Sequence, residues 1–135
     1  MPNIFLDTNI VLDILIASRP SHKQSVLCLE KIITEDYHIM ISEDMISTIY
    51  YVSKNKIQTL AFLQTIMEEW QVVAYGEGVI KKAIEFSLKN NTDLEDILQC
   101  FCAKENHCIL FLTNDKTFMD CGIDIVNVDT FLTRR

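Results

Sequence analysis

"NIFLDTNIVLD", residues 3–13, decides the fold. The apolar run Ile4-Phe5-Leu6 has the length of a strand, stops at Asp7-Thr8-Asn9, and is followed at once by a second apolar run, Ile10-Val11-Leu12. A strand that only filled a core has no use for a carboxylate at its end, because burying that charge is costly. A strand that delivers a side chain to a ligand does. In open parallel sheets ligands bind outside the carboxyl ends of the strands, which makes Asp7 the first candidate site residue. Its ordinary alternative is to N-cap the helix that starts near Thr8.

Further strand-length runs follow at His38–Ser42, Gln71–Tyr75, Cys108–Thr113 and Asp124–Val128. Between them lie helical stripes: Leu60, Leu63, Met67 and Trp70; Ile80, Ala83, Ile84 and Leu88; Leu94, Ile97, Leu98 and Phe101. Short β-branched strands alternating with helices predict a three-layer α/β/α sandwich with a mostly parallel central sheet. Each stripe is expected to be core. With 3 glycines and 2 prolines there is no linker and no low-complexity segment, so residues 1–135 read as a single domain.

A content of 49% hydrophobic residues excludes intrinsic disorder. Asp13 and Arg19 interrupt the apolar stretch after Asn9, and the opening Met-Pro-Asn has no basic leader, so neither a membrane span nor a signal peptide is expected. The 5 cysteines show no C-x-x-C spacing. They read as reduced core residues of a soluble, cytoplasmic protein. His107 and Cys108 are adjacent, which suits tetrahedral zinc poorly. The net charge of −7 excludes a nonspecific grip on nucleic acid through a basic surface. It leaves open an enzyme whose carboxylates recruit phosphate through divalent cations.

Two more acidic stretches support that chemistry. The strand Cys108–Thr113 runs into Thr113-Asn114-Asp115, an acid at a second strand end, although Asn114-Asp115-Lys116 also has the composition of a turn. "NNTDLEDILQC", residues 90–100, places Asp93, Glu95 and Asp96 in a first helical turn. Thr92 and Glu95 have capping-box spacing, and the helix dipole favours acids there. Asp93 and Asp96 are three apart and share a helix face, so they repel unless a cation lies between them. Oxygen ligands without histidine or cysteine favour Mg²⁺ or Mn²⁺.

In this order and spacing the motifs resemble those of the PIN-domain family of metal-dependent ribonucleases, especially its small VapC-type toxins. Leu6-Asp7-Thr8-Asn9 with Asp13 is similar to the family's first motif, Asp93-Leu94-Glu95-Asp96 to its third, and Thr113-Asn114-Asp115 with Phe118 to its fourth. The resemblance implies a metal-dependent endoribonuclease, plausible as the toxin of a toxin–antitoxin pair, with Asp7, Asp96 and Asp115 as metal ligands and Asp93 as an additional catalytic acid. It implies supporting roles for Asn9, Thr113 and Thr48, an RNA substrate, a small antitoxin partner and a homodimer, for which Lys54 to Trp70 is a candidate surface. One position departs from the pattern: Thr48 stands where many members carry a glutamate on the helix after the second strand. Asp44, one turn earlier, shares its face, but Glu43 and Asp44 also suit a helix N-terminus.

Rival readings are weaker on the residues. A phosphoaspartate hydrolase calls for a second Asp where Asn9 stands, and a receiver domain calls for an acceptor Asp that "VVAYGEG" lacks. A non-catalytic PIN-like module that binds RNA or protein is the stronger rival, kept open by Thr48. Tyr50 and Tyr51 offer rings for base stacking, with at least one expected in the core. His22, His38 and His107 form no ligand pattern. The basic end Thr133-Arg134-Arg135 reads as a frayed, solvated terminus.

Overall fold

The computed structural model describes residues 2–134. Five strands form one sheet: β1 (Asn3–Leu6), β2 (His38–Ser42), β3 (Gln71–Val73), β4 (Cys108–Leu112) and β5 (Asp124–Val126). The order is β3-β2-β1-β4-β5 and every pairing is parallel. β2 to β5 begin where the sequence places them, and all of these but β2 end one or two residues earlier. The helices are α1 (Thr8–Leu15), α2 (His22–Thr34), α3 (Asp44–Val52), α4 (Lys56–Glu69), α5 (Gly76–Asn90), α6 (Leu94–Glu105) and α7 (Val128–Thr133).

The topology positions the site. From β1 the chain steps through β2 to β3 on one side, then crosses back to β4 and β5 on the other. Right-handed crossovers put helices on opposite faces when the direction of travel reverses. The packing agrees: α1 lies against α2 and α3, α2 against α7, and α5 against α6. The direction reverses between β1 and β4, and the crevice at their carboxyl ends is the switch point where such sheets bind ligands. Leu6 is in register with Leu112, so the chain leaves both strands side by side, with Asp7 N–H donating to the Leu112 carbonyl at 2.9 Å.

The centre of the sheet is dry. Ile4, Phe5, Leu6, Phe111 and Leu112 are fully buried, and the Phe5 and Phe111 rings stack at 5.2 Å. The helical stripes are not wholly core. Leu60, Met67, Ile80, Ile84, Leu88 and Leu94 are exposed, while Thr59, Leu63, Ile66, Val79, Ala83 and Ile97 carry the packing of α4, α5 and α6. The cause is the brevity of β3, a three-residue edge strand that gives α4 and α5 little sheet to cover. Tyr50 packs on the core and Tyr51 is exposed.

The cysteines correct the expectation of a fully reduced set. Cys28, Cys102 and Cys108 are free and buried, but Cys100 and Cys121 are paired as a disulfide with their Cα atoms 6.2 Å apart. Cys100 faces inward from α6, and the β4–β5 connection returns over it. Lys104 Nζ reinforces the joint by donating to the Cys121 carbonyl at 2.8 Å. Arg134 is tied to Asp124 at 3.0 Å and is not frayed; Arg135 lies outside the described residues. No described helix is long and apolar enough to cross a membrane.

Candidate active site

Asp7 occupies the N-cap position of α1 with extended backbone, yet its side chain makes no capping hydrogen bond. The carboxylate is turned to the neighbouring strand end, where Thr113 Oγ1 donates to its Oδ2 at 2.7 Å. Only 7% of Asp7 is exposed, and burial holds its pKa above the usual carboxylate value. The Thr113 hydroxyl and the Thr8 backbone amide pull it part of the way back, and Asp115 and Asp13 push it up again.

Thr113 is 2% exposed and serves both strand ends, since its Oγ1 also accepts from Asp115 N–H at 3.1 Å. Asp115 is exposed and does form the turn its neighbours suggest: its Oδ1 accepts from Thr117 N–H at 2.9 Å and from Thr117 Oγ1 at 2.8 Å. Asn114 Oδ1 accepts from Val128 N–H at 3.0 Å, which anchors the same loop to α7. Turn and site readings of Asp115 are therefore compatible, because one carboxylate oxygen makes the turn and the charge still acts on Asp7 and Asp96.

The first turn of α6 supplies the rest. Its N-cap is Asp93 and not Thr92: Asp93 Oδ1 accepts from Asp96 N–H at 3.1 Å, whereas the Thr92 hydroxyl donates to Ser87 Oγ at 3.3 Å. Asp96 is pushed up to about 6, first by burial and then by Asp93, Asp115, Asp7 and Glu95. Glu95 is raised by burial, then by Asp44, Asp93 and Asp7. The leading charged neighbours of all three raised carboxyls are other acids, drawn from β1, α6, α3 and the β4–β5 loop.

Among the described residues Thr48 makes no hydrogen bond to a carboxyl of this cluster. Its hydroxyl bonds back to the Asp44 carbonyl at 3.5 Å, one turn earlier on α3. Asn9, exposed on the first turn of α1, accepts from Arg19 Nη2 at 3.3 Å. Three further groups stand at the same edge, of which sequence reasoning gave no site role to Glu95 or Tyr75. Capping spacing accounts for Glu95 in the sequence, and Asp44 stands there both as a helix-start acid and as a neighbour of Thr48; the structure brings the two close enough to act on each other. Tyr75 accepts a hydrogen bond from the buried Ser42 hydroxyl at 3.3 Å, and burial, with Asp44 beside it, raises its phenol well above the ordinary value. A polar pair just beyond the ends of β2 and β3 was the available signal.

Among the described residues no three Asp, Glu, His or Cys side chains stand close enough to enclose an ion as they are. The donor set nevertheless suits a hard cation: it is all oxygen, it contains a buried carboxylate, and its members raise one another. A buried orphan points the same way. Gln99, 1% exposed and three residues after Asp96, donates through Nε2 to Thr8 Oγ1 at 3.1 Å, and its Oε1 has no partner among the described residues. Such an acceptor is costly unless water or a ligand reaches it. His107 and Cys108 form no such site, since Cys108 is buried against Met40 and His107 is exposed.

Fold and site together define an α/β domain with carboxylates gathered at the sheet's switch point. The PIN domain family model matches residues 4–122, and the chain belongs to this family. It is 34% identical to Ribonuclease VapC1 of Aquifex aeolicus, over 97% of this chain and 94% of that one. Among solved structures it resembles a toxin–antitoxin complex from Klebsiella pneumoniae, with TM-score 0.73 at 14% identity over 93% of this chain and 97% of that chain. It also resembles VapC20 of Mycobacterium tuberculosis, a sarcin-ricin loop cleaving toxin, with TM-score 0.71 at 12% identity over 89% and 95%. At these identities the structural likeness concerns the fold.

Proposed function

We propose that this single-domain protein is a divalent-metal-dependent endoribonuclease, the toxin of a toxin–antitoxin pair, acting in the cytoplasm. The observation that carries the reading is a set of carboxyls from β1, α6 and the β4–β5 loop that raise one another, with Asp7 buried and uncapped at its centre. The relative named a ribonuclease, 34% identical over nearly the whole chain, supports RNA as the substrate.

Asp7, Asp96 and Asp115 are the ligands in this proposal. Mg²⁺ or Mn²⁺ bound there supplies a water of lowered pKa and positive charge for the scissile phosphate and leaving oxygen. Thr113 fixes Asp7 by one oxygen and leaves the other available. Thr117 does the same for Asp115. Asp93 holds the first turn of α6 by its cap and adds negative charge beside Asp96, and Gln99 ties that helix to Thr8. Asn9 orients groups at the rim. An antitoxin is the proposed protein partner, and a homodimer using exposed apolar residues of α4 such as Ile57, Leu60 and Met67 is the proposed assembly.

The test is cleavage of a mixed pool of structured and single-stranded RNA with Mn²⁺, with and without EDTA, by wild type, Asp7→Asn and Asp96→Asn. Cutting that EDTA and either substitution abolish is the expected result. Cutting that survives both substitutions, or no cutting alongside no metal binding, would leave a non-catalytic PIN-like module.

A further inference from the structure

The acid cluster repels RNA wherever no cation covers it, so the strand on either side of the scissile bond needs its own positive contacts. One cleft beside the site has them. It lies between the α1–α2 loop and the α3–α4 turn, has a volume of about 340 Å³, and is lined by Ser18, Arg19, Lys54, Asn55 and Gln58 over an apolar floor that includes Leu15. In a chain with 19 acids and 12 basic residues, the lining of this cleft contains both cations and no carboxylate.

Arg19 is held in a defined pose. Its Nε donates to Asp13 Oδ1 at 2.7 Å and its Nη2 to Asn9 Oδ1 at 3.3 Å, while Nη1 has no partner among the described residues. The Asp13 side chain is 10% exposed and that of Arg19 is 30% exposed, so the guanidinium is anchored from beneath and open above. The loop is itself pinned: Arg19 N–H donates to the Ile16 carbonyl at 3.1 Å, His22 N–H to the Arg19 carbonyl at 3.0 Å, and His22 Nδ1 to the Asp13 carbonyl at 2.8 Å. A rigid planar fork with its rotamer already fixed is the group best suited to a phosphate, because little freedom is lost on binding. Asn9, which shares Arg19, is two residues from Asp7, so this donor stands at the rim of the acid cluster. Lys54, exposed across the cleft, makes no hydrogen bond or ion pair among the described residues.

We propose that this cleft is a phosphate-binding subsite for the RNA strand flanking the scissile bond, with Arg19 contacting the phosphate next to the one cleaved and Lys54 a phosphate further on. The subsite rests on the nuclease reading above. Asp13 is a positioning residue here: its carboxylate is paired with Arg19 at 2.7 Å and holds the guanidinium in place.

The experiment measures fluorescence anisotropy of a labelled single-stranded RNA oligonucleotide over a salt series. The background is full-length Asp96→Asn protein with Mn²⁺ present, and wild-type cleavage is scored in parallel. Each cation removed is expected to weaken binding about 4-fold near physiological salt and to flatten the log–log salt slope by about 0.7. Arg19→Ala uncovers the buried Asp13 charge and risks the fold, so Arg19→Gln, which keeps a donor, and Lys54→Glu, on an exposed turn, are read beside it with melting temperatures. Slopes unchanged in Arg19→Gln and Lys54→Glu, with wild-type cleavage intact, overturn the subsite alone, and a cleft that seats a protein partner gives this result. Absence of metal-dependent wild-type cleavage overturns the nuclease reading and the subsite with it.

Discussion

Helices α3 and α6 both start on acids at the carboxyl edge of the sheet, Glu43-Asp44 in one and Asp93-Leu94-Glu95-Asp96 in the other. Their surroundings differ. Asp96 is raised by burial and by Asp93, then by Asp115 and Asp7, which arrive from two other elements, and Asp93 also caps the turn it starts. On α3 the Glu43 side chain caps nothing, and Asp44 meets one acid, Glu95, and the phenol of Tyr75. One turn further on, Thr48 stands where a second acid was expected. An acidic helix start is thus the same local device in both places, and strand ends carrying carboxylates gather one of them into a cluster of acids. The cluster is lopsided, heavy on the β1, β4 and α6 side and thin on the α3 side.

The comparison breaks most sharply at Asp7. Asp7→Asn removes a proposed ligand and is expected to lower RNA cleavage by more than about 100-fold, since even groups that only orient metal ligands cost 10–100-fold when lost. Metal-free stability should move the other way. The folded-state pKa of Asp7 lies above its unfolded value, so at neutral pH the charged form opposes folding, and an uncharged isostere relieves that. Thermal melts in EDTA should show a higher midpoint for Asp7→Asn than for wild type. A lower midpoint would mean that the Thr113 hydrogen bond outweighs the burial of the charge.

A smaller effect follows from Asp96 and sharpens the same contrast. With its pKa pushed up to about 6, Asp96 in the folded chain binds a proton between its unfolded value near 3.8 and that point, where the unfolded chain does not. Metal-free stability should therefore fall as pH rises through that window, and cleavage should fall as pH drops through about 6, because proton and metal compete for one carboxylate. Asp96→Asn should flatten the stability trend. A trend left unchanged would assign it to the other acids of the cluster.

How much of this was legible beforehand follows from the range of each interaction. The strands could be placed because each is a short apolar run, and Asp7, Asp96 and Asp115 could be picked out as candidates because each sits at a strand end or helix start. What depended on distances across the sheet could not be read. Strand order brings Asp44 to Glu95 and folds the β4–β5 loop over Cys100, and neither fact has a local signature. Thr92 and Asp93 both suit an N-cap, and the choice is made by where Ser87 draws the Thr92 hydroxyl. The exposed faces of α4 and α5 carried the periodicity of core helices, since periodicity reports an apolar face and not what covers it.

The thin side of the cluster yields the finest test. Asp44→Asn removes one of the neighbours that raise Glu95, and a single charge at this partly solvated edge is worth on the order of 1 kcal/mol, so a change of about 5-fold in Mn²⁺ affinity is expected. Its sign carries the information. If Asp44 helps to hold the cation, its loss weakens binding; if it only repels Glu95 and leaves that group partly protonated, its loss frees Glu95 and strengthens binding. Thr48→Glu asks the same question from the opposite direction, by placing a carboxylate one turn along the same face of α3. Isothermal titration with Mn²⁺ should show tighter binding in Thr48→Glu and weaker binding in Asp44→Asn if α3 contributes to the site. Two variants indistinguishable from wild type would confine metal binding to β1, α6 and the β4–β5 loop.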